Sequence, residues 1–255
     1  GRFMPMWGVT VAPPDPMQAV TPMDQVLRDL TCPQPEEVVL SYLRISNMAG
    51  DDLAIDVYLD NGQTPVVAGL MGGVVSREEG STWRAISPGA HLVGIWRAGE
   101  PTSEAPLSEF SFAISGDQGR ELLIGSPDPE TADVLRFQVS DAIEVTEQNL
   151  RVVNAFADVD AVDVEFYLPG QEPGGVDPSA VVTNISALAG GELSLPEDTY
   201  EVYVWPAGDR ARALIDGATL ERGARAEVLY LRGSAQPDDA LEPEALLDPL
   251  DRIPF

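Results

Sequence analysis

The chain has no lysine. Its 15 basic residues are all arginine, they stand against 42 acidic ones, and the formal charge over 255 residues is −27. Phosphate backbones owe most of their protein affinity to Lys and Arg, and anionic membrane surfaces attract the same side chains. Both partner classes are therefore set aside. The acid excess reads as solubility, in a medium whose salt screens self-repulsion over about 8–10 Å.

Other absences narrow the chemistry. His91 is the single histidine, so His-based metal clusters are excluded and any Ser-His-Asp site has one candidate base. Cys32 is the single cysteine, which forbids an internal disulfide. It sits in "LTCP", a poor lipobox, and reads as a small buried side chain more readily than a reactive thiol. No apolar run reaches about 18 residues, so no transmembrane helix is expected. No G-x-S-x-G elbow, P-loop or strand-associated G-x-G-x-x-G appears. "AGLMGGVV" is Gly-rich but lacks the lysine that contacts phosphate. "GRFMPMWGVT" begins without Met and without a basic start followed by an apolar run. We read it as a mature region whose export signal has been trimmed away; the full-length gene decides that.

What is present is a repeat. "LRISNMAGDDLAIDV" (43–57) and "LRVVNAFADVDAVDV" (150–164) align without a gap and are identical at seven of fifteen positions. These are Leu43/Leu150, Arg44/Arg151, Asn47/Asn154, Asp51/Asp158, Ala54/Ala161, Asp56/Asp163 and Val57/Val164. Downstream, "SPGAHLVGIWRAG" (87–99) corresponds to "PEDTYEVYVWPAG" (196–208), with Trp96/Trp205 and Gly99/Gly208 in step. The chain is an internal duplication.

Both copies read as β. Segments such as "YLRIS", "AIDVYL", "HLVGIW", "AVDVEFYL" and "YEVYVW" place β-branched and aromatic residues near period two. Turn chemistry at "DNGQ", "SPGA", "PGQEPGG" and "PEDT" separates them. One short helix is predicted, over 21–30. The expected fold is all-β: two tandem immunoglobulin-like antiparallel β-sandwich modules. Residues 1–37 form an N-terminal arm, 38–145 module 1, 146–234 module 2 and 235–255 an acidic Pro-rich tail. A joining segment near 126–149 supplies "VLRFQV" as a closing strand of the first module. Pro at 237, 243, 249 and 254 forbids a central strand in the tail, but its interleaved Leu and Ile side chains place it along the sandwich.

"LRVVNAFADVDAVDV" followed by "LSLPEDTYEVYVWPAG" resembles a bacterial family of unknown function. Its repeats read approximately R-V-V-H-A-S-P-D-A-P-A-V-D-V and L-P-A-G-T-Y-x-V-x-V-x-P-A-G. The resemblance covers roughly residues 40–234. Asn47 and Asn154 replace the family's His, and the prolines of its S-P-D-A-P turn are missing. It implies paired immunoglobulin-like sandwiches in an exported or surface-anchored protein, and no reaction.

Candidate sites are few. Arg44 with Asp56, and Arg151 with Asp163, recur at one spacing and are expected as structural Arg–carboxylate bridges between neighbouring strands. His91 aligns with Tyr200 and reads as structural. Asp158, Asp160 and Asp163 offer the oxygens that Ca²⁺ takes, but lack the EF-hand's Gly and Glu; a turn cap is the competing reading. Paired carboxylates for glycoside hydrolysis would lie about 5–10 Å apart, and in so acidic a chain no pair stands out. In "TYEVYVW", Trp205 shares a face with Glu201 and Tyr203, which fits either edge covering or ligand stacking. The candidate binding surface is therefore Trp83, Trp96 and Trp205, with loops 70–83 and 169–180 as scaffold-borne alternatives. No cofactor is called for. The expected function is a non-catalytic structural or protein-binding module of the bacterial envelope, at the periplasm or cell surface. The alternative is a carbohydrate-binding protein assisting polysaccharide processing.

Overall fold

Alternation in each repeat builds two facing sheets, so the two repeats become two sandwiches. The computed structural model describes residues 39–50, 53–78, 81–100, 104–127, 135–143, 149–235 and 242–254. The helix predicted over 21–30, Cys32, the acidic pair Asp51 and Asp52, and parts of the joining segment lie outside the described residues. No described residue is helical.

In the first sandwich one sheet holds β1 (Ser41–Asn47), β4 (Val74–Val75), β5 (Trp83–Ile86), β8 (Gly119–Pro127) and β9 (Leu135–Val139). The facing sheet holds β2 (Ile55–Leu59), β3 (Val67–Leu70), β6 (Gly89–Arg97) and β7 (Ser108–Ile114), ordered β3-β2-β6-β7. The second sandwich repeats this arrangement. Its first sheet runs β13 (Gly190–Ser194), β10 (Asn149–Phe156), β16 (Glu227–Gly233), β17 (Glu244–Pro249). Its second runs β12 (Ala180–Ser186), β11 (Ala161–Tyr167), β14 (Thr199–Pro206), β15 (Ile215–Glu221). Pairing is antiparallel except at the centre of each first sheet, where β1 runs parallel to β8 and β10 parallel to β16. The predicted "VLRFQV" strand is β9. Part of the acidic tail becomes β17, an edge strand on β16, where proline's missing N–H leaves no ladder bond unmade.

Each sandwich encloses its own apolar core. Leu43, Ile45, Ile55, Val57, Val93, Ile95, Leu122 and Ile124 fill the first. Leu150, Val152, Val162, Val164, Phe166, Val202, Val204 and Leu229 fill the second. A third layer joins them. Tyr42, Trp83, Leu123, Val153, Val228, Tyr230 and Leu250 form one cluster from the outward faces of the two first sheets. Consequently β1 and β16 are buried on both faces along their whole length.

The repeated polar residues are repeated because the fold needs them. Asp56 accepts the backbone N–H groups of Gly69 at 2.7 Å and Gly99 at 3.0 Å; Asp163 accepts those of Asn184 at 2.8 Å and Gly208 at 3.0 Å. All four donors have positive φ, and both aspartates sit where the ladder shifts register. A carboxylate there satisfies N–H groups that the interrupted ladder leaves free. Asn47 and Asn154 do equivalent work, donating to Leu53, Leu70 and to Val159, Ile185 carbonyls respectively.

The expected bridges Arg44–Asp56 and Arg151–Asp163 do not form. Arginine and aspartate both point outward, but β1 and β2 belong to opposite sheets, so the side chains leave the sandwich on opposite sides. Arg44, with none of its surface exposed, enters the layer between the sandwiches. There it donates to Asp248 Oδ2 at 2.6 Å, to the Tyr230 hydroxyl at 3.1 Å and to the Pro249 carbonyl at 3.1 Å. Its Nε lies 3.4 Å from Glu121 Oε1. Burial opposes the charge, but Tyr230, Glu121 and Asp248 outweigh it and hold the guanidinium pKa above its ordinary value. Arg151 reaches Glu192 at 3.3 Å and approaches the other oxygen of Glu121 at 4.0 Å. One buried carboxylate thus faces the repeated arginine of each copy.

Candidate functional site

Outside the cores, the outward faces of the second sheets differ most between the copies. In the first sandwich, β2 and β6 put Tyr58 opposite Gly94 and Asp56 opposite Trp96. With no side chain at Gly94, the Trp96 ring folds down over the backbone: a Cβ added there would stand 2.2 Å from Trp96 Cζ3. Tyr58 meets that ring edge-on, with centroids 5.1 Å apart and planes at 81°. Trp96 Nε1 donates to the Glu104 carbonyl at 3.1 Å, which ties the β6–β7 loop to the face.

Above these rings lies a cleft of about 510 Å³, within the usual size of ligand sites of ~300–1,000 Å³. Tyr58 and Trp96 form its floor, Asn61 and Gln63 one wall, and Glu104 and Glu109 another. No basic side chain is among its lining residues. The Asn61 wall is a tight hairpin turn in which Asp60 and Asn61 both take positive φ and Gly62 N–H donates to Leu59 O at 2.9 Å. "DNG" is a sequence that suits such a turn. Asp60 fixes it to β6 by accepting Leu92 N–H at 2.9 Å and lying 2.7 Å from His91 Nδ1. Burial opposes ionisation of Asp60, but the Leu92 N–H and His91 together outweigh it and hold the carboxyl below the ordinary carboxylate range.

His91 is committed to the frame. Its other nitrogen faces Ser87 O at 2.7 Å, as the Tyr200 hydroxyl donates to Pro196 O at 3.2 Å in the second copy. Position and partner are the same in both repeats.

The structure separates the three tryptophans. Trp83 lies in the layer between sandwiches, 4% exposed, its Nε1 donating to Asp251 O at 2.7 Å. That placement removes it from any binding surface. Loop 70–83, which it ends, is packed only in part: Gly73 backs onto the Arg232 guanidinium, whereas Met71 and Val74 are exposed. Trp205 sits on the outward face of the second sandwich, stacked on Tyr203 at 5.9 Å and covered by Arg210, whose Cζ is 4.9 Å from the ring centroid. Of the three candidates only Trp96 lines the cleft, and it is 8% exposed. Tyr58, Glu104 and Glu109 were not marked by any motif, and Asn61 and Gln63 stood out only as part of the turn "DNGQ". The legible signal is the one-residue contrast of Gly94 with Tyr203 in the aligned repeats.

The acidic residues proposed for Ca²⁺ do not converge. Asp158 accepts Ser234 Oγ at 3.0 Å and Ala235 N–H at 2.8 Å, whereas Asp163 caps Asn184 and Gly208. Among the described residues no group of three His, Cys, Asp or Glu side chains is placed to hold a metal. Among them, too, no helix is long and apolar enough to cross a membrane. Loop 169–180 projects from the second sandwich with Val176 exposed and turns at Gly170 and Gly174.

No protein-family model matches the chain, and no curated protein sequence matches it. Among solved structures, it is similar to a family 41 carbohydrate-binding module from a streptococcal virulence factor, at 10% identity and a TM-score of 0.25 over 75% of this chain and 93% of that one. It is also similar to a family 26 carbohydrate-binding module from Eubacterium rectale, solved with maltoheptaose, at 10% identity and a TM-score of 0.23 over 84% and 98%. Likeness at that level carries no assignment.

Proposed function

We propose that the chain is a non-catalytic binding module whose ligand is an uncharged carbohydrate segment seated over Tyr58 and Trp96. The observation that carries this is the cleft itself: aromatic floor, amide and carboxylate walls, and no basic lining residue. Sugars present apolar C–H faces that pack on rings and hydroxyls that donate to carboxylates and pair with amides. Glu104 and Glu109 repel anionic ligands, so neutral saccharides fit the walls better than phosphorylated or acidic ones. The ring edges in the floor suit one or two sugar units, not a long flat platform. We propose further that the module works at the periplasm or cell surface, in keeping with the family it resembles.

A second reading, a structural or protein-binding scaffold, is favoured by the buried layer between the sandwiches. That layer fixes two sandwiches as one body and presents their loops rigidly. Titration calorimetry with neutral malto-, cello- and chito-oligosaccharides decides between the two. Saturable binding by the native protein that Trp96→Ala removes, while its circular-dichroism spectrum shows the β fold retained at the assay temperature, supports the cleft. Absence of binding across the panel leaves the scaffold reading standing.

A further inference from the structure

The same face of the second sandwich holds a different arrangement. Tyr167, Tyr203 and Trp205 form a cluster of their own on the outward side of β11 and β14. Tyr167 meets Tyr203 edge-on at 5.5 Å, and Tyr203 stacks on Trp205 with planes 13° apart. Beside them stands Glu165, whose side chain is only 5% exposed. One of its oxygens accepts the Tyr167 hydroxyl at 2.7 Å; the other accepts Nη2 of Arg210. The Arg210 guanidinium caps this cluster, lying over the Trp205 ring and against Glu165 at once. Yet Arg210 is 57% exposed at its side chain and comes from the loop between β14 and β15, outside any strand.

A nearly buried carboxylate needs a cationic partner or a full set of donors. Here the partner is an exposed side chain carried by a loop and not by a strand. An aromatic wall beside a carboxylate is the chemistry that takes organic cations, and a planar guanidinium matches it through its donors and its flat face together. Burial first, then the nearby carboxylates of Glu201, Asp216 and Glu172, raise the Tyr203 pKa, so the surroundings are negative too.

We propose that the seat Arg210 occupies between Trp205 and Glu165 is a receptor for an arginine side chain presented by a basic partner protein, and that Arg210 is its displaceable plug. The site is independent of the Tyr58–Trp96 cleft. A plug lowers apparent affinity in proportion to the time it spends seated, so its removal strengthens capture of an external guanidinium.

The test uses the full chain and follows the Trp205 indole N–H signal by NMR, assigned through Trp205→Phe. It titrates a short arginine-containing peptide and its lysine counterpart. In Arg210→Ala the arginine peptide is expected to shift the signal saturably, with an apparent affinity about tenfold or more above native. Adding Glu165→Gln is expected to abolish the shift, and the lysine peptide is expected to bind several-fold more weakly. Arg210→Gln, which keeps the loop's polarity, guards against a local collapse and is expected to behave as Arg210→Ala does. Equal affinity of native and both Arg210 variants overturns the proposal. Equal response to both peptides, or one that survives Glu165→Gln, overturns it as well.

Discussion

The two sandwiches share strand order, parallel central pair, aspartate caps and the upstream carbonyl anchor of His91 or Tyr200. They part company on the outward face of β2–β6 against β11–β14. Gly94 leaves the first face hollow, and Tyr203 with Arg210 fills the second. A duplication that keeps its caps and changes its faces separates two kinds of constraint. Residues that satisfy backbone groups are held in register by the fold, whereas residues on the outward sheet are free to become a cleft or a lid.

The largest expected effect comes from emptying the filled face. Tyr203→Gly removes a buried aromatic ring and is expected to destabilise by about 3–5 kcal/mol, while raising acrylamide quenching of Trp205. Thermal melts and quenching curves read both. Nearly as large is the contrast between the repeated arginines. Arg44→Met leaves the buried Glu121 facing Asp248 without its guanidinium, a change of roughly 3–5 kcal/mol. Arg151→Met loses a pair to the exposed Glu192 and a 4.0 Å approach to Glu121, which keeps Arg44, and is expected to cost ~1 kcal/mol. Denaturant titration of both checks whether the layer between the sandwiches rests on the first copy's arginine.

Filling the hollow face is the converse experiment. Gly94→Tyr drives Trp96 off the backbone it covers and is expected to cost about 1–3 kcal/mol and to remove saccharide binding, with calorimetry and melts as the readouts. A milder distinction is one of pH. Burial, followed by Glu165, pushes the Tyr167 hydroxyl up to about 12, above its ordinary value near 10. The folded state therefore favours the neutral phenol. The stability this gives is complete below pH ~10 and declines as pH rises through about 12, and Tyr167→Phe is expected to flatten alkaline melts in that window. The smallest effect is expected from His91→Tyr, which copies the second repeat's anchor; its change in melting temperature is expected to correspond to under ~1 kcal/mol.

Much of the frame was legible. Alternation in "YEVYVW" and "AIDVYL" located strands, and the repeated Asp, Asn and aromatic positions marked residues that the fold uses twice. The layer between sandwiches was hidden because two of its outward positions on β1, Arg44 and Ser46, are polar, and the partner expected for Arg44 was Asp56. Their partners Glu121, Tyr230 and Asp248 lie far away in sequence, and nothing local announces a buried ion pair. Pairing Arg44 with Asp56 failed for the same reason: identical spacing in both copies implied proximity, while the two strands belong to opposite sheets. The cleft was half legible. Trp96 stood out by type, but its floor partner Tyr58 and the walls depend on which loops flank β6, and the deciding residue is a glycine, which has no chemistry of its own to attract notice.

The most direct measurement follows the indole N–H signals of Trp96 and Trp205 together while the native protein is titrated with neutral oligosaccharides. Saturable movement of Trp96, with Trp205 still, is the expected result, because only the hollow face admits a sugar. Movement of Trp205 instead, or stillness of both across the panel, contradicts the assignment of the cleft between Tyr58 and Trp96 as the ligand site.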